Sequence, residues 1–256
     1  MELQGKVAVI TGGSGGIGQA MGKAFLAEGA KAIVLVDLHL AAVKEAAAKL
    51  DCSFAVCNVT DESQIVALVN SVIEEHGQID LFCSNAGAGS PGVLTDATND
   101  TWQNQWELHV MSHLYAARAV LPSMIERGEG YLLNTSSAAG LLAAIESGPY
   151  TVTKAAAVKM AEMLSITHAD DGIKVSVLCP QGVNTAMAPR SLGSGQTDGI
   201  LEPEVLAQVV VESIRDERFH VLPHPEVEEY VRRKGDNVDR WLHGMRRLRR
   251  KSMEDV

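Results

Sequence analysis

Residues 7–29 read VAVITGGSGGIGQAMGKAFLAEG: five apolar, mostly β-branched residues, then five glycines within seven positions, then a helix-forming run. The first part suits a buried strand and the last an amphipathic helix, so the glycines fill a tight strand-to-helix turn. In that context each glycine has its own work. Gly12 permits the turn, Gly16 lets the main chain approach a pyrophosphate, and Gly18 lets the helix pack close to the strand. The free amides and positive end of the helix then face the anion. A dinucleotide is the ligand this arrangement implies.

Working outward, the same unit repeats. Apolar runs occur at 7–11, 32–36, 54–59, 79–84, 131–136, 173–179 and 219–223, and helix-forming stretches lie between them at 17–29, 40–50, 61–76, 99–127, 150–170 and 203–216. Asp61 and Pro203 read as helix start signals. The runs lack polar alternation, which suits strands covered on both faces. The sequence therefore predicts an α/β fold: a single doubly wound domain with a seven-stranded parallel sheet and helices on both faces. No linker or repeat interrupts it, and we set its extent at 1–225, followed by a basic, amphipathic helical extension at 226–256. Residues 190–200, RSLGSGQTDGI, form the one conspicuously flexible stretch and read as a substrate lid.

The 256 residues carry 32 acidic and 22 basic side chains, a formal charge of −10, which argues against nucleic acid as a partner. Nine basic and four acidic residues lie between Val231 and Val256, so the first 230 residues hold 13 basic against 28 acidic. The four cysteines, Cys52, Cys57, Cys83 and Cys179, form no CxxC pair and show no zinc spacing, and read as reduced core thiols with no metal. No run is long enough to span a bilayer and the amino terminus has no secretory pattern, so the expectation is a cytoplasmic protein with no membrane contact.

Asp37 stands at the end of the second strand, where a carboxylate accepts hydrogen bonds from the ribose hydroxyls and repels a 2′-phosphate. Neither Leu38 nor Gly15 offers a positive charge to rescue that phosphate, so the cofactor expected is NAD rather than NADP. The alternative is that Asp37 caps the next helix. Tyr150 and Lys154, four apart at the start of an Ala-rich helix, share one helix face. Ser137 ends the fifth strand. Together they suit hydride transfer between an alcohol and nicotinamide. Tyr150 is the acid or base, its phenolate favoured by the Lys154 ammonium and an oxidised nicotinamide; Lys154 tunes it and holds the nicotinamide ribose; Ser137 hydrogen-bonds the substrate oxygen.

With these residues in place the chain resembles the compact, roughly 250-residue short-chain dehydrogenase/reductases, whose nucleotide-binding domain is a Rossmann fold. The resemblance covers residues 5 to about 223 and rests on TGGSGGIG at 11–18, SNAG at 84–87, NTSS at 134–137, YTVTK at 150–154 and PQGVNT at 180–185. It implies a catalytic set of Ser137, Tyr150, Lys154 and His109. The cofactor set it implies is Gly12, Ser14, Gly16, Ile17, Gly18, Asp37, Asn58, Val59, Asn85, Ala86, Gly87, Val183 and Thr185, with Tyr150 and Lys154. Asn85, Ala86 and Gly87 would border the ribose region and steady the central strand; Val183 and Thr185 would hold the carboxamide. The resemblance also selects Ser137 over Ser136 and implies a homodimer or homotetramer built on helices 99–127 and 150–170.

Three positions depart from the family. His109 stands where an asparagine helps hold a water linked to the lysine; since imidazole titrates near neutrality, we expect a preserved relay with altered pH dependence, or a histidine that only fills packing space. Asn58 replaces an acidic residue, its amide oxygen still able to accept from adenine. Gln181 replaces a common glycine. The substrate pocket is expected from 88–96, 138–149 and 186–203, mostly apolar, which points to a small-molecule secondary alcohol or ketone on a hydrophobic skeleton, with Glu146 or Arg190 selecting a polar group. Beyond the last strand, Val238, Trp241, Leu242, Met245 and Leu248 recur at helical spacing among arginines. That helix reads as docking on its own or a neighbouring subunit, with an anionic ligand or disorder as the alternatives. A non-catalytic NAD sensor with the same fold is the competing function; a sugar-nucleotide epimerase would need a longer substrate domain.

Overall fold

A computed structural model of the protein describes residues 1–90, 92–145, 147–186 and 198–254, with side chains through Lys251. Among the described residues, seven strands form one parallel sheet in the order β3-β2-β1-β4-β5-β6-β7. They are β1 (Val7–Thr11), β2 (Ala32–Asp37), β3 (Ser53–Val56), β4 (Leu81–Ser84), β5 (Gly130–Thr135), β6 (Ile173–Leu178) and β7 (His220–Val221). The order reverses between β1 and β4, and there the carboxyl ends of the strands open a crevice.

The sheet's alternation builds two cores. Ala8, Ile10, Ile33, Leu35, Leu81, Cys83, Tyr131 and Leu133 face one way, and against them pack α1 (Gly16–Ala27), α2 (Leu40–Leu50) and α8 (Pro203–Arg215). Val7, Val9, Val34, Val36, Phe82, Leu132, Val175 and Val177 face the other way, towards α3 (Glu62–His76), α5 (Ser112–Arg127) and α7 (Gly148–His168). Each fully buried Leu, Ile, Val or Phe contributes about 1.5–3 kcal/mol, so the doubly covered strands anchor the fold. The edge strand β3 departs from expectation. It alternates half-buried and exposed residues, with Phe54 and Val56 turned outward, because only β2 flanks it. Residues 57–59 leave the strand. Cys52 is half-buried, while Cys57, Cys83 and Cys179 are buried, and all four are free thiols.

Helix starts follow their local chemistry. Asp61 caps α3 by accepting from the amides of Ser63 and Gln64. Pro149 and Pro203 occupy first-turn positions in α7 and α8, where a missing N–H costs nothing. The long helix expected at 99–127 is interrupted. α4 (Asn99–Trp106) passes through one π-helical stretch, Glu107–Met111, before α5 resumes. A four-residue helix, α6 (Ala138–Leu141), follows β5. Two helices end the chain, α9 (Glu226–Asp236) and α10 (Val238–Glu254). Among the described residues, no helix is long and apolar enough to cross a membrane.

The glycine turn uses its freedoms where the sequence suggests. Gly12 has φ +63°, and a Cβ on Gly18 would fall 2.4 Å from the Gly12 carbonyl oxygen. Gly18→Ala is therefore expected to lower stability by about 1–3 kcal/mol, read as a reduced urea midpoint.

Candidate active site

At the carboxyl edge of the sheet, Thr11 and Asn85 tie three strand ends together. The Thr11 hydroxyl accepts from the amides of Asn85 (2.9 Å) and Ala86 (3.0 Å) and donates to the Cys83 carbonyl (3.2 Å). Asn85 Nδ2 donates to the Thr11 carbonyl (3.0 Å), and Asn85 Oδ1 accepts from the Thr135 hydroxyl (3.2 Å). Every polar atom of the Asn85 side chain is thereby spent on β1 and β5, beside Ala86 and Gly87.

The glycine turn lies next to this knot. α1 starts at Gly16 with no side chain capping its amides, as a helix end meant for an external anion should be. A Cβ on Gly16 would meet the Thr185 side chain at 2.9 Å, so the loop carrying Val183 and Thr185 closes against the turn around Gly16 and Ile17. Asp37 has a second occupation that sequence reading missed. Its Oδ2 accepts from the Ser14 amide (3.1 Å) and hydroxyl (2.6 Å), and its Oδ1 accepts from the Leu38 amide (2.8 Å). It fastens the glycine turn to β2 and does not cap α2, whose N-cap is His39. Asn58 corrects another expectation. Its amide oxygen already accepts from the Thr60 amide (3.1 Å) and hydroxyl (2.8 Å), so it is not an open acceptor for adenine. Val59 is buried in the core beneath it.

Lys154 is buried, 3% exposed, and its ammonium donates to the Thr135 carbonyl at 2.9 Å. Burial pulls its pKa down to about 8. Tyr150, one turn earlier on the same face, is only partly covered, and the Lys154 nitrogen lies 5.7 Å from its ring centroid. Burial raises the phenol's pKa, and a hydrogen bond with Ser137 offsets part of that rise. Ser137 caps α6, accepting from the Ala139 amide at 3.1 Å. Close approach of α6 to α7 depends on Gly140, where a Cβ would lie 2.6 Å from the Lys154 carbonyl oxygen.

His109 is the clearest correction. It sits in the π-helical stretch with no exposed surface. The Thr153 hydroxyl donates to the Pro149 carbonyl (2.9 Å), so the 3.0 Å contact between Thr153 Oγ1 and His109 Nδ1 assigns the proton to Nδ1. Nε2 then accepts from the Ala88 amide at 3.3 Å. Burial first, then the charge of Lys154, hold the ring neutral. It stacks edge-on to Tyr150, centroids 5.4 Å apart. A neutral imidazole with both nitrogens engaged is a brace between the Ala88 backbone and α7, not a group titrating near neutrality. His113, one turn later, is equally buried and its pKa falls to about 3, chiefly through burial.

Much of the expected pocket wall is present: Ala138 and Ala139 are buried, and Leu141 to Ala144 are half-buried around Ser137. Gly92 bridges to Ser147 from the facing loop. Glu146, Arg190 and the greater part of the 190–200 stretch lie outside the described residues. Sequence reading missed Thr11, Thr135 and Thr153. Threonines beside recognised motif residues were the available signal. Among the described residues no group of three or more His, Cys, Asp or Glu could hold a metal.

This geometry agrees with what the chain is similar to. The short chain dehydrogenase family model matches residues 6–193. The 1-deoxy-11-beta-hydroxypentalenate dehydrogenase of Streptomyces exfoliatus is 30% identical, over 95% of this chain and 91% of its own length. The meso-2,3-butanediol dehydrogenase of Serratia marcescens is 30% identical over 73% of this chain and 75% of its own. A short chain dehydrogenase/reductase from Burkholderia phymatum, solved in complex with NAD, superposes with a TM-score of 0.85 at 27% identity, covering 93% of this chain and 96% of the other. The chain belongs to the short-chain dehydrogenase/reductase family of oxidoreductases.

The histidine assignment is open to a direct check. In ¹H–¹³C spectra, the ring signals of His109 and His113 should stay unchanged between about pH 5 and 8.

Proposed function

We propose that this protein is an NAD-dependent oxidoreductase that interconverts a secondary alcohol and its ketone, with Tyr150 as acid and base. The observation that carries the reading is the hydrogen bond between Ser137 and Tyr150 at the carboxyl edge, with the buried Lys154 nitrogen 5.7 Å from the phenol ring centroid. The fit to NAD rests on the uncapped start of α1, the Gly12 turn and the Asp37 carboxylate at the end of β2. Gly12, Ser14, Gly16, Ile17 and Gly18 would hold the pyrophosphate, Asp37 the adenosine ribose, Lys154 and Tyr150 the nicotinamide ribose, and Val183 and Thr185 the carboxamide. The NAD held by the Burkholderia relative supports this choice. When bound, NAD supplies the hydride acceptor, and in its reduced form the donor.

The remaining work is a proton at the phenolic oxygen of Tyr150. In alcohol oxidation Tyr150 takes the hydroxyl proton; in ketone reduction it returns one to the carbonyl oxygen. Ser137 donates to the same oxygen and stabilises charge developing there. His109 braces the ring of Tyr150 and fixes α7 to the Ala88 backbone. The half-buried Leu141, Leu142, Ala143 and Ala144 favour an apolar skeleton. Relatives named as dehydrogenases of 1-deoxy-11-beta-hydroxypentalenate and of meso-2,3-butanediol support an alcohol substrate. A homodimer or homotetramer is part of the proposal; the exposed Val152, Met163 and Ile166 on α7 support an interface there.

A panel of secondary alcohols should yield NADH with the native protein. Tyr150→Phe should lose activity by about a thousandfold while still binding NAD, and binding without turnover across the panel would overturn the proposal. Since burial raises the phenol's pKa, phenolate is scarce at neutral pH: alcohol oxidation should climb with pH from neutrality upward, while ketone reduction, which uses the protonated phenol, should fall. Asp37→Ala with Leu38→Arg should move preference in kcat/KM toward NADP, and native preference for NADP would refute the role given to Asp37.

A further inference from the structure

α9 carries two contacts that its sequence does not announce. Val227, Tyr230 and Lys234, spaced i, i+3 and i+7, lie on one side of this helix. Val227 is fully buried and anchors it. The opposite side pairs its charges internally, Glu229 with Arg232 and Arg233, and Arg232 with Asp236. Lys234 takes no part in that network. Its ammonium reaches across to the end of α6, in the segment that joins β5 to α7, and donates to the Leu141 carbonyl at 2.7 Å, over the ring of Trp241 at 4.9 Å from its centroid.

Tyr230 reaches the other loop. Its hydroxyl donates to Asp198 Oδ1 at 2.9 Å, and Asp198 Oδ2 accepts from Gln181 Nε2 at 2.7 Å. The Gln181 amide in turn donates to Nδ1 of the buried His224 at 3.2 Å, just ahead of α9. The segment after β6 is closed at its base, where the Asn184 amide donates to the Leu201 carbonyl and the Leu201 amide to the Gly182 carbonyl. This accounts for Gln181 where a glycine is common: its side chain is one link of a chain running from the β6 loop through Asp198 to α9.

We infer that α9 is a strut that fixes the separation of the two loops flanking Ser137 and Tyr150, with Tyr230 and Lys234 as the positioning residues that set which alcohol fits between them. One loop begins at Ser137 itself; the other carries Val183 and Thr185 against the glycine turn. Both are gripped by one helix at Tyr230 and Lys234, four residues and about one turn apart, so a change at either grip is transmitted to the other. What the loops hold rests on the function proposed above, whereas the mechanical coupling does not.

The test uses the full-length protein and two readouts. Hydrogen exchange by mass spectrometry, which needs no turnover, compares the native protein with Tyr230→Phe, Lys234→Met and Lys234→Arg. Lys234→Met should speed exchange by about fivefold or more in peptides around 139–143 and also in those around 198–201; Tyr230→Phe should do the same in the reverse direction, and Lys234→Arg should restore native exchange. Loosening confined to the loop that lost its own contact, or no change in either, overturns the strut. In kinetics with secondary alcohols of graded size, from 2-propanol to cyclododecanol, both loosened variants should raise KM by about tenfold for the best native substrate and leave kcat within about twofold. Unchanged KM and unchanged size preference would overturn the specificity role. Failure of the native protein to oxidise any alcohol would strike the proposed reaction and leave the exchange result standing.

Discussion

The ammonium of Lys154 lies inside the protein with a backbone carbonyl, that of Thr135, as its hydrogen-bond acceptor. A lysine pKa reduced from 10.5 to about 8 corresponds to a cost of about 3 kcal/mol, which the surrounding packing must offset. The arrangement around it follows from that burden. α7 must come close to β5, which the small side chains of Ala157 and Ala161 allow, and α6 must come close to α7, which the bare Gly140 allows. The neighbouring imidazoles of His109 and His113 must stay neutral, since a second charge would add repulsion to desolvation. The site is thus one cation surrounded by groups that cannot become cations.

Its geometry is set from outside by the knot at the strand ends. Thr11, Asn85 and Thr135 belong to β1, the segment after β4, and β5, and their hydrogen bonds fix those three backbones relative to one another. The Thr135 residue serves twice: its hydroxyl joins the knot and its carbonyl receives the lysine. Nucleotide turn and acid–base pair are therefore referenced to the same few atoms, and displacement of one would be felt by the other.

Local pattern was enough to read the doubly wound order, because apolar runs of strand length alternating with helical stretches leave few topologies. The glycine turn was legible for the same reason: its residues act through backbone geometry encoded where they stand. What stayed hidden depends on contacts between distant segments. β3 has the composition of a covered strand but ends up at the edge. His109 has the chemistry of a titrating group, and only its burial, with the charge of Lys154 nearby, removes it from titration. Asp37 looked like a group reserved for a ligand, yet Ser14 engages it first. The link from Gln181 through Asp198 to Tyr230 spans some fifty residues and left no periodic trace.

The π-helical stretch at Glu107–Met111 makes the segment from α4 to α5 one residue longer than an unbroken helix would need. A residue deleted there would let the helix run on in α form with both flanks keeping their facing, because the wide turn holds one residue more than an α turn. Ala116, Val120 and Met124 would stay in the core, and the loss would fall on the placement of His109 against Thr153 and the Ala88 amide. A chain one residue shorter here should thus keep its architecture and forfeit the support behind the phenol.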